Sequence, residues 1–199
     1  MTQPPVHTFV PYIVEVCKTP GARADLRRGL KYTPDSLQAL RSHRYLAPFT
    51  DTATGSTREA VLYAAAACIA TFQPKGGADL APRRLGKALA HATQRGPDKP
   101  SAAASGIEKK LLIAGRATIT PLLYAHLPAL LGVPGVTDQP LDWEQLTWDL
   151  LDWQGNSGPV IRRWMQDFYR TKDHMLRQAQ AASDGHADDR DAVLLASTP

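Results

Sequence analysis

Arg163, Arg170 and Arg177 recur at seven-residue intervals near the C-terminal end of the sequence. On a helix rising 1.5 Å per residue they form a row with roughly 10 Å between neighbours. Guanidiniums spaced in this way suit phosphates, which each can grip through paired, charge-assisted hydrogen bonds. A solvated helix face, partly offset by Asp167 and Asp173, would carry the same row. A second concentration of cations lies between residues 83 and 116, where Arg83, Arg84, Lys87, Arg95, Lys99, Lys109, Lys110 and Arg116 are offset only by Asp98 and Glu108. Residues 138 to 153 invert the pattern, with Asp138, Asp142, Glu144, Asp149 and Asp152 and no Lys or Arg. Helical surfaces carry charge of some sign in any soluble protein. Basic and acidic stretches that alternate suit a subunit that meets nucleic acid on one side and protein on another.

Other chemistries lack their residues. The histidines, His7, His43, His91, His126, His174 and His186, never fall at a His-x-x-x-His or His-Glu-x-x-His spacing. Cys17 and Cys68 are too few and too far apart for a zinc set and read as small buried hydrophobes. The stretch PKGGADLAPRRLGKAL contains Gly-Lys but not the strand, glycine pattern and Ser or Thr of a phosphate loop; it reads as a turn before a helix opened by Pro82. Asp188 and Asp189 are adjacent, but in an acidic stretch that reads as solvated. A nucleophile and its base meet in space and cannot be paired from spacing. Nothing here calls for enzymatic activity, a metal, a cofactor or a small-molecule substrate.

The elements that must position these cations read as all-α. With 199 residues, 43% hydrophobic and 21% charged, the chain can bury a substantial core, and its net charge of +4 leans mildly toward anionic partners. The start MTQPPVHTF has no basic residue before an apolar run, so a secretory signal is not expected. The most apolar run, residues 60–72, falls short of the roughly 20 residues of a membrane span. A cytoplasmic protein without membrane contact is the expectation. Apolar residues recur at helical spacing between Pro and Gly breaks, and no segment alternates as a half-buried strand would.

The pattern predicts a two-lobed helical bundle of about eight or nine helices. A first helix spans residues near 8 to 18, GARADLRRGL forms a second, and Thr33 with Pro34 opens a third. Ser56 with Glu59 and Ser105 with Glu108 have the spacing of capping boxes, and Asp142 with Gln145 is a related cap. The helix after Ser56 is apolar nearly all round and belongs in the middle of the bundle. Residues 1–96 read as an N-terminal lobe, 97–106 as a linker, 107–177 as a C-terminal lobe and 178–199 as a loose polar tail.

Projection at 100° per residue gathers Ile161, Trp164, Met165, Phe168, Met175 and Leu176 on the inner side of the last helix, opposite its arginines. In LDWEQLTWDLLDW, Trp143, Leu146, Leu150 and Trp153 share one face, whereas Trp148 falls among Glu144, Asp149 and Asp152. An outward tryptophan on an acidic face points to a protein contact, or to cover for a neighbouring part of its own chain.

In order, GARADLRRGL, RYLAPF, TREAVLYAAAACIATF, LGKAL, IEKKLL, PLDWEQLTWDLLDW and VIRRWMQDFYR resemble the CasB family, the small subunits of the type I-E CRISPR Cascade complex. The resemblance covers most of residues 9 to 175. It departs from the family at Lys109 and Lys110, where an arginine pair is expected, and at Pro128, which interrupts a helix expected to run on. The resemblance implies a non-catalytic helical subunit, present as two copies packed head to tail, that helps hold the target and displaced strands of an R-loop. Its implied partners are CasA, the CasC backbone, a second CasB copy, and guide RNA and target DNA through the complex. Sequence would be read by the guide and not by this subunit.

Joining the resemblance to the charge map gives the candidate nucleic-acid contacts Arg23, Arg27, Arg28, Arg83, Arg84, Lys87, Lys109, Lys110, Arg116, Arg163 and Arg170, with Trp148 as the protein-interface candidate. Arg23 and Arg27, four residues apart, are the favoured facing pair. The rival reading is a helical adaptor whose basic faces dock acidic proteins and never meet nucleic acid.

Overall fold

The computed structural model describes residues 6–50, 56–72, 81–94 and 100–195, and among these it contains nine α-helices and no strand. Helix α1 (Val6–Val16) leads into α2 (Pro20–Arg28), whose first position is the pre-shaped proline. The helix expected after Thr33 is instead a run of turns, and α3 (Leu40–Leu46) starts later. Helix α4 (Thr57–Phe72) begins where expected: the Ser56 hydroxyl accepts the Glu59 N–H at 3.1 Å. Val61 through Ala70 are all buried, so α4 is the central post of the bundle. Cys17 and Cys68 are free and buried in the same core.

Helix α5 (Leu85–Ala92) packs chiefly on α9, and its Gly86 makes that approach possible. A Cβ at Gly86 would stand 2.2 Å from the Trp164 carbonyl oxygen. Helix α6 spans Pro100–Gly115, so Ser105 lies inside it and marks no start; Pro100 is the opening signal. Residues 97–99 of the expected linker lie outside the described residues, and 100–106 are helical. The buried apolar residues on either side of that boundary belong to one continuous core running from Phe9 to Phe168.

Helices α7 (Ile119–Pro121) and α8 (Leu127–Leu131) are joined through a π-helical turn, Leu122–His126. Pro128 has no N–H to return to the Tyr124 carbonyl, and the turn before it widens, with the Leu127 N–H reaching Leu122 O.

Helix α9 (Trp143–Leu195) is two arms joined at Asn156, whose φ of −156° and ψ of 48° are not helical. Asp142 caps the first arm, its carboxylate accepting the Gln145 N–H at 2.9 Å. Trp143, Leu146, Leu150 and Trp153 are buried as their shared face requires, and so are Trp164 and Phe168 on the second arm. Ile161, Met165 and Met175 are partly buried, but Leu176 is exposed, because the second arm outruns its neighbours. The stretch set off as a tail at residue 178 is helical as far as Leu195, with 196–199 outside the described residues.

Candidate nucleic-acid interface

Arg83, Arg84 and Lys87 are brought together where α5 begins. The Arg83 N–H donates to Pro140 O at 2.9 Å, and the Asp142 N–H donates to Arg83 O at 2.8 Å. This two-bond clasp sets the first turn of α5 beside the first turn of α9. An open groove forms there, lined by Pro82, Arg83, Arg84, Lys87, Gln139 and Asp142. Two helix N-termini add their partial positive charge to three side-chain cations, an arrangement that attracts phosphate. Asp142 also lines the groove, but its carboxylate is engaged in capping α9.

The α2 arginines divide between structure and surface. Arg23 is partly buried, and its Nε donates to the Ala70 carbonyl at 2.8 Å, which pins α2 to the end of α4. Arg27, one turn on, is exposed and has no hydrogen-bond or ion-pair partner among the described residues. The expected pair is therefore split. Arg28 is exposed and reaches Asp25 at 3.2 Å.

Asp25 organises a cluster that sequence reasoning missed. Its carboxylate, only 10% exposed, accepts Arg44 at 2.6 Å and lies 4.0 Å from Arg41, besides binding Arg28. Three guanidiniums around one carboxylate leave a net positive surface with its arginines held in place. The Arg44 guanidinium also lies over the Tyr45 ring, 4.5 Å from its centroid. The available signal was Asp25 itself, set between Ala22 and Leu26 on the buried face of α2.

Lys109 and Lys110 are exposed on α6, and Arg116 is exposed just past its end. Arg163 departs from the expected phosphate row. It donates to Asp149 at 2.5 Å, and that carboxylate also accepts Trp164 Nε1 at 2.5 Å and Gln145 Nε2 at 2.8 Å. Asp149 is 3% exposed, and a buried carboxylate needs this cation, so the partly exposed Arg163 is engaged in the fold. Arg177 pairs with Asp173 at 3.2 Å, and Arg170 remains exposed. Trp148 is 41% exposed on the acidic face.

Among the described residues no three His, Cys, Asp or Glu side chains are grouped to hold a metal ion, and no helix is long and apolar enough to cross a membrane.

The family described as CRISPR-associated protein Cse2 matches residues 22–169 of this chain. A chain of a CRISPR RNA-guided surveillance complex is 32% identical, with a TM-score of 0.69 over 87% of this chain and 96% of that one. A chain of such a complex described as pre-nicking is 30% identical, with a TM-score of 0.71 over 87% and 97%. CasB of M. ruber, at 22% identity and a TM-score of 0.65 over 92% and 99%, shares the fold. No curated protein matches the sequence.

Proposed function

This chain belongs to the Cse2 family, also called CasB, the small subunits of type I-E Cascade, and on that premise we propose that it is a non-catalytic architectural subunit that holds DNA strands and steadies the R-loop. The observation that carries this reading is the groove at the paired starts of α5 and α9. It sets Arg83, Arg84 and Lys87 against two helix N-termini. Such a surface neutralises phosphates without regard to sequence, which suits an assembly whose guide RNA does the reading.

Arg27, Arg28, Lys109, Lys110, Arg116 and Arg170, all exposed, extend the phosphate-binding surface, and Arg41 and Arg44 join it through the Asp25 cluster. Arg23 and Arg163 act in the fold. The similarity to chains of RNA-guided surveillance complexes supports membership of such an assembly, with the other Cascade subunits and a second copy of this chain as partners.

The test is salt-dependent binding of single- and double-stranded DNA by the isolated chain and by the assembled complex. Affinity falls with salt and is indifferent to sequence composition at the groove's phosphates. The double variant R84E/K87E weakens binding and flattens the logarithmic salt slope by roughly 0.7 to 0.9 per lost contact. Unchanged affinity and slope in both settings, with assembly intact, would instead establish the protein-adaptor reading.

A further inference from the structure

A second cavity adjoins the groove and shares Arg83 and Gln139 with it. It has a volume of about 150 Å³ and lies between the end of α5 and the loop before α9, with Arg83, His91, Gln94 and Gln139 supplying polar atoms and Ala88 and Val136 apolar wall. Gly135, at φ 92°, takes the left-handed turn that folds this loop over the cavity. We infer that the cavity receives a single unpaired nucleobase from a strand whose phosphates lie in the groove. The inference rests on the nucleic-acid reading above and adds a base site to it.

Size, chemistry and continuity each support this ligand. The volume is well below the roughly 300–1,000 Å³ typical of sites for cofactor-sized ligands. It suits one planar ring and shuts out a base pair. Gln139 Oε1 is buried and has no hydrogen-bond partner among the described residues, so it is an acceptor awaiting a donor. The pairing edge of a base offers both donors and acceptors. The Arg83 guanidinium donates, and the carboxamides of Gln94 and Gln139 do both. Because Arg83 and Gln139 line both cavities, a phosphate in the groove and its own base in the pocket can be held together. A displaced strand is already unpaired, so extruding one of its bases carries little of the unpairing cost met in a duplex. The small volume favours single-ring bases.

The experiment measures binding of the full chain to three single-stranded oligonucleotides of equal length, an oligothymidine, an oligodeoxyadenosine and a fully abasic backbone. Wild type binds the oligothymidine at least 10-fold tighter than the abasic strand and several-fold tighter than the oligodeoxyadenosine. Gln139→Leu lowers the first ratio to below 3-fold, whereas R84E/K87E weakens all three strands and leaves the ratio standing. If Gln139→Leu does not fold, Gln94→Leu, at an exposed position, replaces it with the same expected result. Equal wild-type binding of natural and abasic strands overturns the base site and leaves the phosphate groove intact. A ratio that survives both glutamine variants also overturns it. Absence of binding to any of the three overturns the nucleic-acid reading and the base site with it.

Discussion

Asp149 and Arg163 meet at 2.5 Å across the break in α9. They stand on opposite sides of Asn156, so their ion pair ties the two arms of the helix at a set angle. The same carboxylate holds Trp164 Nε1 and the Gln145 side chain, and the Gln145 N–H is capped by Asp142, which lines the basic groove. A chain of hydrogen bonds thus runs from the groove through the buried Asp149 to the C-terminal arm.

Removing Asp149 is expected to cost stability before it costs DNA binding. Asp149→Ala strands the Arg163 guanidinium, whose side chain is 36% exposed, and the buried Trp164 N–H. Loss of one partner of a fully buried ion pair costs about 3–5 kcal/mol, and the partial exposure of Arg163 lowers the expectation to about 3 kcal/mol. Urea unfolding checks the magnitude. Arg163→Ala leaves a buried carboxylate without its counter-charge, held only by Trp164 and Gln145, and should destabilise at least as much, with a DNA affinity per folded molecule close to wild type.

Gly86→Ala is expected to separate α5 from α9. The added Cβ meets backbone, the Trp164 carbonyl, at 2.2 Å, and backbone cannot turn aside as a side-chain tip can. Overpacking of this kind costs about 1–3 kcal/mol and sometimes more. Because Arg84 is the N-cap residue of α5 and Lys87 lies on its first turn, the shift should also weaken DNA binding, so thermal midpoint and affinity fall together. In R84E/K87E affinity falls without the midpoint.

Arg23→Ala and Arg27→Ala are expected to differ although the residues lie one turn apart. Arg23 donates to a backbone carbonyl of α4, and losing that bond with its packed stem costs about 1–2 kcal/mol. Arg27 is exposed and has no partner among the described residues, so its loss leaves the midpoint within about 0.5 kcal/mol of wild type and lowers DNA affinity. Paired unfolding and binding measurements on the two variants separate the roles.

What the sequence revealed follows the range of the interaction concerned. Caps are local, and Ser56 and Asp142 were legible because each partner lies three residues away. Ser105 has the same spacing but sits inside α6, since the alanine-rich stretch before it continues the helix back to Pro100. Helical periodicity placed Trp153, Trp164 and Phe168 in the core correctly. It failed for Arg163, because that side chain meets a carboxylate fourteen residues earlier, brought round by the bend at Asn156. The same limit hid the cluster of Arg28, Arg41 and Arg44 on Asp25, which joins α2 to α3. Net charge by segment located Arg83, Arg84 and Lys87, but the clasp of Arg83 on residues 140–142 that makes them a groove has no signature in sequence.

Alkali is expected to destabilise the fold from about pH 9 upward. Burial pushes the Cys68 thiol up to about 12 and, with the nearby Asp35 and Glu59 carboxylates as smaller causes, the Tyr124 phenol to about 12. These groups are neutral in the folded state over a range in which the unfolded chain ionises. Their folded pKa values are raised, so the stability they carry is complete below the unfolded values near 9 and 10 and is lost as pH rises toward 12. Urea midpoints measured from pH 7 to 11 should hold and then fall. In the same experiment Cys68 should resist thiol reagents at pH 8 until denaturant is added.

Trp148→Ala is expected to weaken assembly and spare the fold. The side chain is 41% exposed and projects beside Glu144 and Asp152, which are also exposed, whereas its neighbours Leu146, Thr147, Asp149 and Leu150 are buried. Truncation therefore opens no cavity in the core, and the thermal midpoint should move by no more than about 1 kcal/mol of stability. A large exposed aromatic flanked by Glu144 and Asp152 has the make-up of an interface anchor, for which truncation costs about 2 kcal/mol or more of association. Co-purification of the variant with the other Cascade subunits provides the readout. Full assembly of Trp148→Ala with an unchanged midpoint would remove Trp148 from the interface, and a collapsed midpoint would place it in the core.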